Sequence, residues 1–397
     1  VRVGYDGTAY LEPATGVGQY VRALWHEFQR GIPGIEPVML LPGPRATLPE
    51  LPPGEVIIEE PPARAASGKA RKLWWEQIGL PRATHRAGVD LVHVPYHSVP
   101  LWRDRPHLVT IHDLVPLIFP VYMNTRQMQV YYRLACYTAA RADLILTDSD
   151  HSAGDLEHYL AIPRERVRAI PLAASDFYHP LPPTDPTIAA ARTKFGITGP
   201  FVFNVGGLDV RKNLATLIRA FALARPQLPT GTQLVIAGAP HSDHPDRFPD
   251  LLPVIAACGL TEVTVLTGRI TDEEKLALLN AAELYAYPCL YEGFGISPLE
   301  AMRCGTPTIS SDRSSLPEVV GEGGLLIEPT PEKLGAAMAF VMETPHERRE
   351  LRRRALAQAD KFSWARTAQL TAAAYEETLH RAAATGRSKK RAVVGAR

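Results

Sequence analysis

Excess charge of either sign is missing from this chain: 43 Lys and Arg stand against 42 Asp and Glu, for a net charge of +1. That balance offers no bulk electrostatic case for binding nucleic acid. Cysteine is scarce. The four present, Cys136, Cys258, Cys289 and Cys304, form no C-x-x-C pair, which argues against a zinc knuckle and against a disulfide framework. A reducing, cytoplasmic setting fits that usage. Long apolar runs are also missing. The most apolar stretch, Leu114 to Met123, is short and carries Pro116 and Pro120, so it cannot span a bilayer as a helix. Val1 to Tyr5 reads as a strand rather than a signal peptide. No segment repeats strictly.

What is present is alternation. At 397 residues the chain is too long for one ordinary core, and two domains are expected. Val1–Tyr5, Asp90–Val94, His107–Ile111, Ala142–Thr147 and Val167–Pro171 read as buried strands. Val21, Leu24, Trp25 and Phe28 form one apolar helix face after a Gly16-Val17-Gly18 loop. Pro180 to Pro186 reads as an inter-domain linker. A second series follows, with strands Phe201–Val205, Leu234–Gly238 and Val263–Leu266. Leu214, Leu217, Ile218 and Phe221 give that series its first helix face. Strands and helices alternating twice over predict an α/β chain with two Rossmann-like parallel-sheet domains and a ligand bound between them.

The most informative stretch is Tyr291 to Met302. Glu292 and Glu300 flank a Gly-x-Gly turn where the strand Glu283–Pro288 gives way to a helix, and Thr308–Ser311 reads as the next strand. Acids at the carboxyl end of a strand sit where ligands bind in open α/β sheets. Ser297-Pro298-Leu299-Glu300 also has the form of a capping box, so Glu300 has a structural reading beside the functional one. Gly206-Gly207 with Arg211, Lys212 and Asn213 links another strand to a helix. Glycines admit a phosphate to the backbone there, and two adjacent cations are explained by a bound anion. Gly16 and Gly18 offer a second, weaker backbone anion site; no Gly-Lys-Ser/Thr follows, which excludes a Walker loop. His112-Asp113 closes the strand ending at Ile111, either contacting a substrate hydroxyl or capping a loop.

Several patterns carry less weight. Asp148-Ser149-Asp150 looks like a metal-holding triplet, but Ser149 reads as a helix N-cap. His93 and His97 flank Pro95 in extended chain, roughly 13 Å apart and too far for one metal. His241-Ser242-Asp243-His244 lacks a third convincing ligand. Lys69 to Ile78 is basic with Trp74 and Trp75 at helical spacing; these tryptophans read as core or pocket wall in preference to a membrane-surface helix. Arg387 to Arg391 forms a short basic tail.

Glu292 through Glu300, followed by Ala301-Met302-Arg303-Cys304-Gly305-Thr306-Pro307, resembles the E-x7-E signature of the family-four retaining glycosyltransferases. Gly206-Gly207, Arg211-Lys212-Asn213, His112-Asp113 and Gly16-Val17-Gly18 match that family's landmarks in order. The resemblance implies a GT-B fold: two Rossmann-like domains facing a central cleft, with a C-terminal helix crossing back. It implies an acceptor-binding domain over residues 1–178 joined by a helix at about 362–380, a nucleotide-sugar-binding domain over 179–361, and a flexible basic tail over 381–397.

Carried over by position, Arg211 and Lys212 would neutralise the donor diphosphate and Glu300 would accept from the ribose hydroxyls. Glu292, with the backbone of Gly293, Phe294 and Gly295, would hold the donor sugar. His112 would contact that sugar, with Asp113 beside it. Gly16, Gly18 and Gly206 would approach phosphate, and Arg269 would lie at the base. Gly207 departs from the arginine common in the family. The implied activity is a metal-independent, retaining hexosyltransferase without a cofactor, moving mannose from GDP-mannose to a saccharide or lipid-linked acceptor. It would work in the cytoplasm, with or without peripheral contact at the inner membrane face. A UDP-hexose donor, an epimerase or hydrolase on the same fold, and a non-catalytic nucleotide-sugar-binding subunit are the rival readings.

Overall fold

A computed structural model describes residues 1–12, 15–45, 48, 51–63, 68–239 and 244–384. The chain divides into two compact units, Val1–Leu172 with Trp364 onward, and Ala173–Ser363.

The first unit is built on seven parallel strands: β1 (Arg2–Asp6), β2 (Glu36–Pro42), β3 (Glu55–Glu59), β4 (Leu91–Val94), β5 (His107–Thr110), β6 (Leu144–Thr147) and β7 (Val167–Ala169). Their order is β3-β2-β1-β4-β5-β6-β7. β4, β5 and β6 are buried at every position, as strands of a sheet covered on both faces must be. The chain reverses its direction of growth across the sheet between β1 and β4, which makes their carboxyl ends the switch point where ligands bind in such folds.

The helix Gly16–Gly31 covers this sheet with Tyr20, Val21, Leu24, Trp25 and Phe28 buried. Gly16-Val17-Gly18 is its first turn and not a loop. Thr15 caps the helix by accepting from the Gly18 N–H at 2.9 Å. Gly18 is required by packing, since a Cβ there would lie 2.0 Å from the Glu12 carbonyl oxygen. The helix Trp364–Ala384 belongs to the same unit. Its Tyr375 hydroxyl meets His93 Nδ1 at 2.9 Å, and its Glu377 takes two bonds from Arg168, at 2.9 and 2.6 Å.

The second unit has six parallel strands: β8 (Phe201–Val205), β9 (Gln233–Ala237), β10 (Thr264–Gly268), β11 (Leu284–Tyr287), β12 (Thr308–Ser311) and β13 (Leu325–Ile327). Their order is β10-β9-β8-β11-β12-β13, so the switch point falls between β8 and β11. Leu214, Leu217, Ile218 and Phe221 bury the inner face of the helix Leu214–Ala224. Gly335 lets the helix Pro331–Glu343 lie against it, since a Cβ would come 2.9 Å from the Ala220 carbonyl. The segment Pro180–Pro186, expected as a linker, lies inside this unit. Leu181 packs on its core and donates its N–H to Asn280 at 2.7 Å, and Pro186 opens the helix Pro186–Lys194.

Candidate functional site

In the second unit, the segments after β8 and β11 are neighbours at the switch point and are stapled together. The Leu290 N–H donates to the Arg211 carbonyl at 2.7 Å, and the Asn213 side-chain amide reaches the Pro288 carbonyl at 3.3 Å. Val210–Lys212 forms a single 3-10 turn, ended by Asn213 at φ +54°, a left-handed conformation that Asn tolerates better than most residues. This turn delivers Arg211 and Lys212 to the acids. Lys212, 9% exposed, bonds to Glu292 and to the Tyr287 hydroxyl. Arg211 pairs with Asp209 at 3.0 Å, donates to the Tyr291 carbonyl at 3.1 Å and lies 3.7 Å from Glu292. The two cations are therefore already matched by two protein carboxylates, and a bound anion is not needed to explain their adjacency.

Lys212, Tyr287, Arg211 and Cys289 all converge on Oε1 of Glu292, and Oε2 takes none of these contacts. Burial alone would raise the Glu292 carboxyl. The Lys212 and Arg211 charges, with hydrogen bonds from Lys212 and Tyr287, outweigh it and hold the pKa at about 2. The loop after Glu292 is set by two serines. Ser314 Oγ accepts from the Glu292 N–H and Ser315 Oγ donates to the Glu292 carbonyl, both at 2.9 Å; Ser315 also donates to the Phe294 carbonyl.

The helix Ile296–Arg303 starts two residues earlier than a Ser297 cap requires. Gly295 occupies the cap position at φ +126°, a conformation open to glycine, and no side chain caps the turn. Glu300 is thus released from the capping role and bonds through Oε2 to Lys275. Burial raises its pKa in spite of that partner. Glu292 and Glu300 share one neighbourhood, since both charges add to burial in pushing up the Tyr285 hydroxyl. Gly206 and Gly207 follow β8 directly. A Cβ on Gly207 would crowd Asp209 Oδ2 at 3.1 Å, so a side chain here would press on the acid that holds Arg211. Arg269 is exposed at the first position after β10.

In the first unit, the β5–β6 register pairs Thr110 with Leu146, which sets His112 opposite Asp148 two residues on. His112 Nδ1 donates to the Asp148 carboxylate at 2.8 Å, and Nε2 is buried with no hydrogen-bond partner among the described residues. Burial lowers the His112 pKa, but the adjacent Asp148 charge and hydrogen bond raise it above 6.5 overall. Tyr20, from the helix that Gly16 begins, packs edge-on against this ring at 4.7 Å. Asp113 has the turn role, its Oδ1 accepting from the Val115 N–H at 3.0 Å.

Asp6, at the end of β1, is buried and closed by Trp75 at 3.1 Å, Tyr96 at 2.9 Å, and the Thr8 N–H and hydroxyl at 3.0 and 2.7 Å. Trp74 and Trp75 are core residues. Ser149 caps the helix Asp150–Leu160. His93 lies between Tyr375 and Thr110. His241, Ser242, Asp243 and the tail from residue 385 lie outside the described residues. Among the described residues, no three His, Cys, Asp or Glu side chains are grouped to hold a metal.

Asp209, Lys275, Tyr287, Asp148, Ser314 and Ser315 were not singled out as site residues from sequence. The signal for Asp148 was available, because it ends the strand next to the one that His112 ends. Lys275 and Ser314 are brought in by tertiary packing and carry no local motif.

The chain therefore holds two parallel-sheet units, one with paired cations and acids at its switch point. The chain matches the Glycosyltransferase Family 4 description over residues 14–174 and the Glycosyl transferases group 1 description over residues 188–358. It is 30% identical over 309 residues to the serotype-specific mannosyltransferase WbdA of Escherichia coli, across 77% of this chain and 37% of that protein. The chain thus spans well under half the length of that relative. It is 29% identical to the O-antigen chain mannosyltransferase B of Escherichia coli, across 72% of this chain and 74% of that one. Among solved structures, HepE of Anabaena, in complex with UDP and glucose, matches with a TM-score of 0.70 at 19% identity, covering 94% of this chain and 99% of that chain. The chain belongs to the family-four-like GT-B glycosyltransferases.

Proposed function

We propose that this protein is a retaining hexosyltransferase that moves mannose from GDP-mannose to a saccharide or lipid-linked saccharide acceptor in surface-polysaccharide or glycoconjugate assembly. The observation that carries the reading is the Arg211–Lys212–Glu292 cluster at the switch point, with Lys275–Glu300 beside it. The mannose assignment is supported by the two mannosyltransferase relatives. In this reading Arg211 and Lys212 meet the donor diphosphate, and Oε2 of Glu292 accepts from a sugar hydroxyl. Glu300 accepts from the ribose. On the first unit, His112 Nε2 is the group assigned to the transferred sugar.

The hard step is breaking the bond between the anomeric carbon and the diphosphate oxygen. Fixed cations on the leaving group stabilise the charge that develops there. The acceptor hydroxyl bonds to the same carbon from the same face, and its proton passes to the departing phosphate oxygen. No protein nucleophile and no metal enters that sequence.

Incubation with GDP-mannose and a panel of saccharide acceptors, followed by NMR of the product anomer, tests the reading. An α-linked mannoside is expected. Free mannose or an epimerised nucleotide as the sole product would show that transfer is wrong. The nearest rival is a UDP-hexose donor, and tighter calorimetric binding of UDP than GDP would overturn the mannose assignment.

A further inference from the structure

The tryptophans of the Lys69–Ile78 stretch are buried, yet the first unit presents a different apolar and basic surface. On the helix Arg126–Ala139, Val130, Leu134 and Tyr137 are exposed, Val130 at 67%. Their spacing of four and three residues lays them on one face. Arg126 and Arg133 share that face, and Arg141, just past the helix, lies over the Tyr137 ring at 3.8 Å; all three are exposed. The adjoining loop adds Leu101 and Trp102, the latter 87% exposed. Loop and helix are joined, since the Arg103 guanidinium donates to the Arg141 carbonyl at 2.8 Å and the Val99 N–H to Thr138 Oγ1 at 3.4 Å.

Burial leaves Trp102 and Val130 out of any core, where large apolar side chains ordinarily sit. The charge on the helix side of this surface has one sign. No aspartate or glutamate stands between Asp113 and Asp143. The acid on the adjoining loop, Asp104, faces His85 and Arg105 at 3.7 and 3.8 Å. A second copy of the chain docked by this face through a two-fold axis would set arginines against arginines. An anionic bilayer suits both features. Its headgroups match the arginines, and the tryptophan and aliphatic side chains enter the interface below them.

We infer that this face of the first unit is a peripheral docking surface for an anionic lipid membrane, with Trp102, Val130 and Leu134 inserted and Arg126, Arg133 and Arg141 at the headgroups. Among the described residues no helix is long and apolar enough to cross a membrane, so the association proposed is with one leaflet. The inference does not depend on the donor or on the reaction.

The test is co-sedimentation of the full chain with vesicles of phosphatidylcholine alone and of phosphatidylcholine mixed with phosphatidylglycerol. Tryptophan emission is followed in parallel. The chain should pellet with the mixed vesicles, with a blue shift in emission that Trp102→Ser removes. That variant should weaken partitioning about tenfold, the scale for losing one large buried apolar side chain. The Arg126→Glu/Arg133→Glu double variant should weaken it more and reduce its salt dependence. All these positions are exposed, and melting temperatures should match that of the parent. Equal binding to phosphatidylcholine alone, no binding to either vesicle, or binding unchanged in both variants would overturn the proposal. So would vesicle-free self-association that these substitutions abolish, which would assign the face to a second copy.

Discussion

In the first unit the carboxylate at the switch point, Asp6, is closed off by neutral donors of its own chain: an indole, two hydroxyls and a backbone amide. In the second, Glu292 and Glu300 face ammonium and guanidinium groups. The sheets share a topology, and the partners differ in kind. A carboxylate satisfied by fixed neutral donors is a structural tie. Cations and carboxylates held against one another form a set whose members can change partners when a charged ligand arrives. The switch point of a parallel sheet is a position, and the chemistry placed there decides whether it serves packing or a ligand.

The largest effect expected is from Lys212→Ala. It removes the nearest cation from Glu292, leaving that buried carboxylate to Arg211 and Tyr287, which costs about 1.5–3 kcal/mol of stability. In the proposed reading it also removes leaving-group stabilisation and should lower turnover by about two to three orders of magnitude. Chemical denaturation and a transfer assay read the two separately. The same pair sets an acid limit. Because the folded pKa of Glu292 is depressed from 4.5 to about 2, its contribution is present above pH 4.5 and lost as pH falls toward 2.

Asp6→Ala comes next. It leaves buried donors unmatched at about 1–3 kcal/mol, with nucleotide affinity unchanged. A loss of nucleotide binding in this variant would break the contrast between the units.

Glu300→Leu combined with Lys275→Met sharpens the contrast. Replacing a buried ion pair by apolar groups of similar size is neutral to stabilising. The melting temperature should hold or rise while affinity for a nucleoside diphosphate falls about tenfold, the scale of one charged hydrogen bond.

The smallest effect concerns His112. Its folded pKa is raised, so stabilisation from the Asp148 pair is full below pH 6.5 and fades as pH rises through the higher folded value. Asp148→Asn should flatten that part of the pH profile of melting temperature.

Much of this was legible in the sequence, for identifiable reasons. β8 was read at its observed bounds because Phe201–Val205 is apolar at four of five positions and is followed by two glycines. β2 and β3 carry no clear strand signature in the sequence. β2 is interrupted by Pro37 and ends on Pro42, and β3 begins and ends on glutamate, so neither has a clean apolar period. Arg211, Lys212, Glu292 and Glu300 were visible because two short motifs carry them. Among the partners that fix their geometry, Asp209, Tyr287 and Cys289 are local, whereas Lys275 and Ser314 come from remote segments. Gly16-Val17-Gly18 has the sequence of a loop and the structure of a helix turn, because a glycine needed for close packing in a helix looks the same in sequence as one in a loop.

In the proposed reading, Arg211 and Lys212 receive a diphosphate once Glu292 yields them. Calorimetric titration of GDP and GMP into the parent and into Lys212→Gln/Glu292→Gln tests it directly, because the double variant removes a charge pair without stranding either member. The parent should bind GDP more tightly than GMP, and the variant, with its melting temperature kept, should lose most of that preference. A variant that still distinguishes GDP from GMP as the parent does would contradict the claim.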